Sequence, residues 1–132
     1  MEKLILENPQ VVNLSNNSEQ YIPRRRDIIW VNFSPQSGRE QAGRRPALVI
    51  SPTSYNRKVG LAIACPITTR IKGYRYEVVI PEGLPVSGVI LSDHVKSLDW
   101  RSRNTQYACQ IPTEVLIEVL TKLNDLLMDA LI

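Results

Sequence analysis

Within the nine residues Gly38-Arg39-Glu40-Gln41-Ala42-Gly43-Arg44-Arg45-Pro46 the chain sets a carboxylate, a carboxamide and three guanidinium groups. Two smaller polar clusters follow, Pro66-Ile67-Thr68-Thr69-Arg70 and Ser92-Asp93-His94. Each borders an apolar run that reads as a strand. Loops held at strand ends are where a rigid scaffold presents functional groups, so the three clusters are candidates for one shared site. Most familiar catalytic signatures are missing. The sequence has no phosphate-cradling glycine loop, and with His94 as its single histidine a Ser-His-Asp triad would have to be built around that one position. Cys65 and Cys109 lack the further thiols or paired histidines of a zinc site and read as small buried hydrophobes. No metal ligand set and no cofactor motif is expected.

The elements that must position these clusters are short. Asp27 to Phe33 is rich in β-branched and aromatic residues and stops at Ser34-Pro35, as a strand does. Gln36 to Arg44 reads as a loop. Pro46 to Pro52 and Leu61 to Pro66 are nearly continuous apolar runs, suited to strands buried on both faces, with a turn or one helical turn between them. Tyr76–Ile80 and Val89–Ser92 add two strands around a Gly/Pro loop, and Val95–Leu98 and Tyr107–Ile111 add edges. After Pro112-Thr113-Glu114 the period changes: Val115, Leu116, Val119, Leu120, Leu123, Leu126 and Leu127 recur at helical spacing. The expected fold is mainly β, a small, mostly antiparallel barrel or curled sheet closed by a C-terminal packing helix. Residues 1–20, polar and without apolar period, read as a poorly ordered N-terminal arm before a single domain over 21–132.

Composition narrows the function classes. With 132 residues, 43% apolar and 22% charged, the chain is long enough for one core and far from the disordered corner. The N-terminus lacks a signal-peptide core and no run is long enough to span a bilayer, so a cytoplasmic protein without membrane attachment is expected. The net charge of +3 is unevenly spread. Residues 24–103 hold fourteen Lys or Arg against six Asp or Glu, and the remainder holds two against seven. A basic middle of this kind is the footprint of a phosphate-bearing partner.

The run Glu40-Gln41-Ala42-Gly43-Arg44-Arg45-Pro46-Ala47-Leu48-Val49-Ile50-Ser51-Pro52 closely resembles the hallmark segment of the MazF/PemK toxins, the endoribonuclease halves of bacterial toxin-antitoxin pairs. Asp27 to Pro35, Pro66 to Thr69, Lys72-Gly73-Tyr74 and Asp93 to Arg101 also resemble family segments, in family order, over about Tyr21 to Met128. The resemblance implies an SH3-like barrel, a homodimer and metal-independent, sequence-specific cleavage of single-stranded RNA to 2′,3′-cyclic phosphate and 5′-hydroxyl ends. It also implies a cognate antitoxin whose acidic C-terminal segment lies in the RNA groove.

By the same resemblance Arg45 is the catalytic arginine, whose planar fork of donors suits charge stabilisation at phosphate. Thr68 is the catalytic threonine. Glu40 is either the acceptor of the 2′-hydroxyl proton or a structural partner that orients Arg45, since adjacent arginines depress a carboxylate's pKa. Asp93 is a second candidate base. Arg39, Gln41, Arg44, Lys72 and His94 fall on loops that line the RNA groove. His94 is often glutamine in relatives and Arg39 often serine, which bears on the cleavage sequence rather than the reaction. Trp30 reads as core, and Trp100 is a candidate partner contact. Two other classes stay open: a toxin of the same fold that poisons DNA gyrase, and a noncatalytic basic module that only binds nucleic acid.

Overall fold

The computed structural model describes residues 20–33 and 43–131. In these stretches β1 (Asp27–Phe33), β2 (Gly43–Val49), α1 (Thr53–Val59), β3 (Ala62–Thr68), β4 (Glu77–Val79), β5 (Val89–Leu91), β6 (Lys96–Leu98), β7 (Gln106–Gln110) and α2 (Thr113–Met128) follow in chain order. The strands pair in the order β4-β5-β3-β2-β1-β7, with β6 added to the other end of β3, and every pairing is antiparallel. The expected mainly antiparallel sheet with a C-terminal helix is what forms.

Side chains alternate across a strand, so a run that is apolar at every position must be covered on both faces. Ile28, Leu48, Cys65, Ile67 and Ile90 face a core that Val115, Leu116 and Val119 of α2 complete. Their neighbours Ile29, Val31, Ala47, Val49 and Ala64 face a second core with Leu98 and Trp100. Cys65 is an inert core thiol, pushed up to about 12 by burial and by Asp93. Trp100 is 2% exposed and donates its indole N–H to Asn56 O at 3.0 Å, so it is a core residue and not a partner contact.

Two details depart from the sequence reading. The loop expected to run through Arg44 gives way to strand at Gly43, because Asn32 and Phe33 continue the ladder opposite Arg44 and Gly43. Arg44 and Arg45 therefore stand on a strand. Pro46 is tolerated inside β2 because there only β1 is paired; the β3 ladder begins at Ala47. Finally, Leu126 and Leu127, expected on the packed face of the helix, are exposed. The expected arm, residues 1–19 in particular, lies outside the described residues.

Candidate active site

The described residues of the polar clusters meet at the Thr68 end of β3. A cleft of about 650 Å³ is lined by Thr68, Arg70, Lys72, Tyr74, Glu77, Leu91, Asp93 and His94. A smaller one of about 270 Å³ is lined by residues that include Trp30, Arg44, Arg45, Thr68 and Val86. Thr68 lines both, so the two clefts meet at this threonine.

The connection from β3 to β4 is fastened at several points. Thr68 Oγ1 accepts the Arg70 backbone N–H at 3.0 Å, which leaves its hydroxyl proton available to donate. Glu77, buried at the start of β4, accepts the N–H groups of Lys72 and Gly73 at 2.9 and 2.8 Å. Gly73 takes a φ of +82°, a conformation that L side chains avoid, and this lets the turn close on the carboxylate. The Glu77 carbonyl accepts Lys122 Nζ of α2 at 3.1 Å, tying helix to loop. The Tyr74 hydroxyl donates to Asp93 Oδ1 at 2.7 Å, and His94 Nε2 lies 3.8 Å from the same oxygen. Burial, the bond to Asp93 and the Asp93 charge raise the Tyr74 phenol, so it stays a neutral donor at ordinary pH.

Lys72, Arg70 and Arg45 give the groove its positive face, while the Glu77 carboxylate is spent on backbone donors. Arg45 is opposite Val31 on the β1–β2 ladder and is exposed. Arg44 differs. Its guanidinium is engaged inside the protein, Nη1 with Asn104 O at 2.8 Å and Asn32 Oδ1 at 3.2 Å and Nη2 with Gln106 Oε1 at 3.1 Å. It braces β2 against β1 and β7 beside the smaller cleft.

Of the residues named from sequence, Arg45, Thr68, Lys72, Asp93 and His94 are brought together around the groove, and Arg44 lines the smaller cleft. Arg39, Glu40 and Gln41 lie outside the described residues. Glu77 and the pairing of Tyr74 with Asp93 carry no motif of their own in the sequence. An acid leading the apolar Val78-Val79-Ile80 was the available signal for Glu77. Trp30, read as core, is half-buried and also lines the smaller cleft.

This groove sits on a chain whose residues 24–127 match the model of the PemK-like, MazF-like toxin of type II toxin-antitoxin systems. The chain belongs to that family. The endoribonuclease toxin MazF of Escherichia coli strain K12 is 44% identical over 108 residues, which cover 82% of this chain and 96% of the relative. Endoribonuclease PemK of Escherichia coli is 30% identical, over 77% of this chain and 80% of its own length. Among solved structures, MazF of Deinococcus radiodurans superposes with a TM-score of 0.78 at 54% identity, covering 82% of this chain and 98% of that one. A MazE-MazF complex from the same organism gives 0.77 at 52% identity, over 84% of this chain and 100% of that one. Among the described residues no helix of this family member is long and apolar enough to cross a membrane.

Proposed function

We propose that this endoribonuclease toxin of a type II pair cuts single-stranded RNA by internal attack, without a metal ion. The 2′-hydroxyl oxygen forms a bond to the adjacent phosphorus, the P–O5′ bond breaks, and the products are a 2′,3′-cyclic phosphate and a 5′-hydroxyl. The attacking hydroxyl needs a proton acceptor, the phosphorane oxygens need positive charge, and the departing O5′ needs a proton.

Arg45 supplies the charge and Thr68 a hydroxyl donor to the same phosphate. Glu40 or Asp93 takes the 2′-hydroxyl proton, and the departing O5′ takes its proton from solvent water in the open groove; Asp93, clamped by Tyr74, also serves to hold the neighbouring nucleotide. Arg39, Gln41, Arg44, Lys72 and His94 bind the strand on either side, Arg44 chiefly by bracing β2. The observation that supports this reading best is the position of Thr68 where two clefts meet: a phosphate there leaves one nucleotide for each cleft. The unpaired bases of a single strand can occupy such clefts, and a duplex cannot offer them.

By family likeness the protein works in the cytoplasm as a homodimer and is restrained by a cognate antitoxin, whose acidic C-terminal segment occupies the same basic groove. The residues 21–132 make up the toxin domain. Purified protein incubated in EDTA with a long single-stranded RNA should cut at one recurring short sequence and leave 5′-hydroxyl ends. Intact RNA, or activity that returns only with magnesium, overturns the reading.

A further inference from the structure

We propose that Gly88 is a positioning residue for Thr68, an inference that rests on the catalytic reading of Thr68 above. Gly88 stands immediately before β5, where Val89 is registered against Thr68 on one side and Val79 on the other. Its φ is +117°. A methyl group on its α-carbon would come within 2.9 Å of the Thr68 carbonyl carbon and closer still to the carbonyl oxygen, with Thr69 Cα at 3.3 Å. Both nearest atoms are backbone, which cannot rotate aside as a side chain does. The missing side chain thus lets the start of β5 lie directly on the peptide group that carries the groove threonine.

The opposite partner is tied down on its far side. Gly88 O accepts the Ile80 N–H at 3.0 Å, and β5 is held between β4 and β3. Thr68, by contrast, is the last residue of β3, followed by the exposed Thr69 and Arg70. Crowding at Gly88 is therefore relieved by moving Thr68, and with it the Oγ1 that Arg70 N–H orients. A displacement on the order of 1 Å at a reacting group costs about a hundredfold in rate. Phosphate affinity, which rests on Lys72, Arg70 and Arg45 rather than on the threonine's exact place, changes little.

Gly83 is the built-in control. It shares the loop and a positive φ of +97°, but a Cβ there meets nothing within 4 Å. Full-length wild type, Gly88→Ala, Gly83→Ala and each in a Thr68→Ala background are compared by steady-state cleavage of an RNA whose cut sites have been mapped with wild type. Gly88→Ala should lower kcat about a hundredfold with KM nearly unchanged. Gly83→Ala should lower the melting temperature and keep kcat. In the Thr68→Ala background, adding Gly88→Ala should change the residual rate by no more than about twofold.

A second readout needs no activity: in threonine-methyl NMR of RNA-free protein, the Thr68 methyl and the Arg70 amide should shift in Gly88→Ala and stay in Gly83→Ala. Failure of wild type to cleave would sink the catalytic reading and leave the NMR arm to judge the positioning. A folded Gly88→Ala protein with wild-type kcat, an equal kcat loss in Gly83→Ala, or a full hundredfold loss on top of Thr68→Ala would each overturn the inference. If Gly88→Ala does not fold, Val89→Ala loosens the same strand start without a clash. A severalfold kcat loss that vanishes in Thr68→Ala supports the inference, and an unchanged kcat overturns it.

Discussion

At the Ala62 end of β3, Asn56 donates from Nδ2 to Pro23 O at 2.8 Å and Ser51 O at 3.1 Å, while its side-chain oxygen accepts the Ser51 hydroxyl. Ser51 Oγ in turn accepts the Ile63 N–H at 2.9 Å, and the Asn56 carbonyl takes the Trp100 indole. At the Thr68 end of the same strand, Thr68, Tyr74 and Asp93 also form hydrogen bonds, but on the wall of an open groove. Asn56 is 0% exposed and Ser51 4%, whereas Thr68 and Asp93 are half-buried and Lys72 and His94 are exposed. Similar residue types do different work. A fully buried polar group must find all its partners within the protein, so the first cluster is a pin. A group held from one side and open on the other is a tool.

The comparison breaks most sharply at the groove. Arg45→Ala and Thr68→Ala should each lower kcat about a hundredfold to a thousandfold, the usual loss of a transition-state donor, with no change in melting temperature or secondary structure. Cleavage assays on the folded variants decide it, and near-wild-type rates in Arg45→Ala would remove the proposed mechanism.

The pin should fail in the opposite sense. Asn56→Ala leaves the Pro23 and Ser51 carbonyls and the Ser51 hydroxyl without their partner, a loss of about 3 kcal/mol. For a domain of this size that lowers the melting temperature by about 10 °C. Well below that temperature kcat should equal wild type. A variant as stable as wild type, or one that is stable but slow, would show that the two ends of β3 are not separable.

What could be read from the sequence follows the same division. The apolar runs at Leu48-Val49 and Ala64-Cys65 are legible as strands buried on both faces, because burial leaves its mark on every residue of a strand, and Ile28-Ile29 is legible as strand from its β-branched residues. The shared site was legible only as clusters at strand ends. That Arg44 and Arg45 stand on a strand depends on Asn32 and Phe33 extending the ladder, a pairing between segments that no local pattern encodes. That Arg44 is a brace depends on Asn104 and Gln106, sixty residues away in sequence. Trp100 could not be assigned to the core without its distant acceptor on Asn56. Helical period marks a face of the helix and not which residues of that face are covered, and on this chain Leu126 and Leu127 are exposed.

Tyr74→Phe sharpens the comparison within the groove. It deletes the donor to Asp93 Oδ1 and leaves the ring. A hydrogen bond to a charged group in a half-open site is worth about 1 to 1.5 kcal/mol, so the melting temperature should fall by about 5 °C, and the loosened Asp93 should lower kcat/KM about five- to tenfold. If Tyr74 acts through Asp93, the same substitution in an Asp93→Asn protein should cost much less. An undiminished effect there would give Tyr74 a direct contact with RNA instead.

The smallest effect expected is alkaline, and it separates buried from open phenols. Tyr21 packs against the Trp100 side of the core and donates its hydroxyl to the fully buried Asp27. Burial, that bond and the Asp27 charge hold its phenol well above the ordinary value. In the unfolded chain it ionises near about 10. Below that pH both states keep the proton and the contribution to stability is complete. Above it the unfolded chain sheds the proton while the folded one keeps it, so the folded state binds more protons and stability falls as pH climbs. Wild type should therefore lose melting temperature between about pH 9 and 11 more steeply than Tyr21→Phe, even though the variant starts lower for want of the Asp27 donor. Tyr74 is raised as well, but on the groove wall solvent screens its partner, so Tyr74→Phe should keep a slope close to that of wild type. Parallel melting curves for wild type and Tyr21→Phe would mean that the Tyr21–Asp27 bond does not couple ionisation to folding.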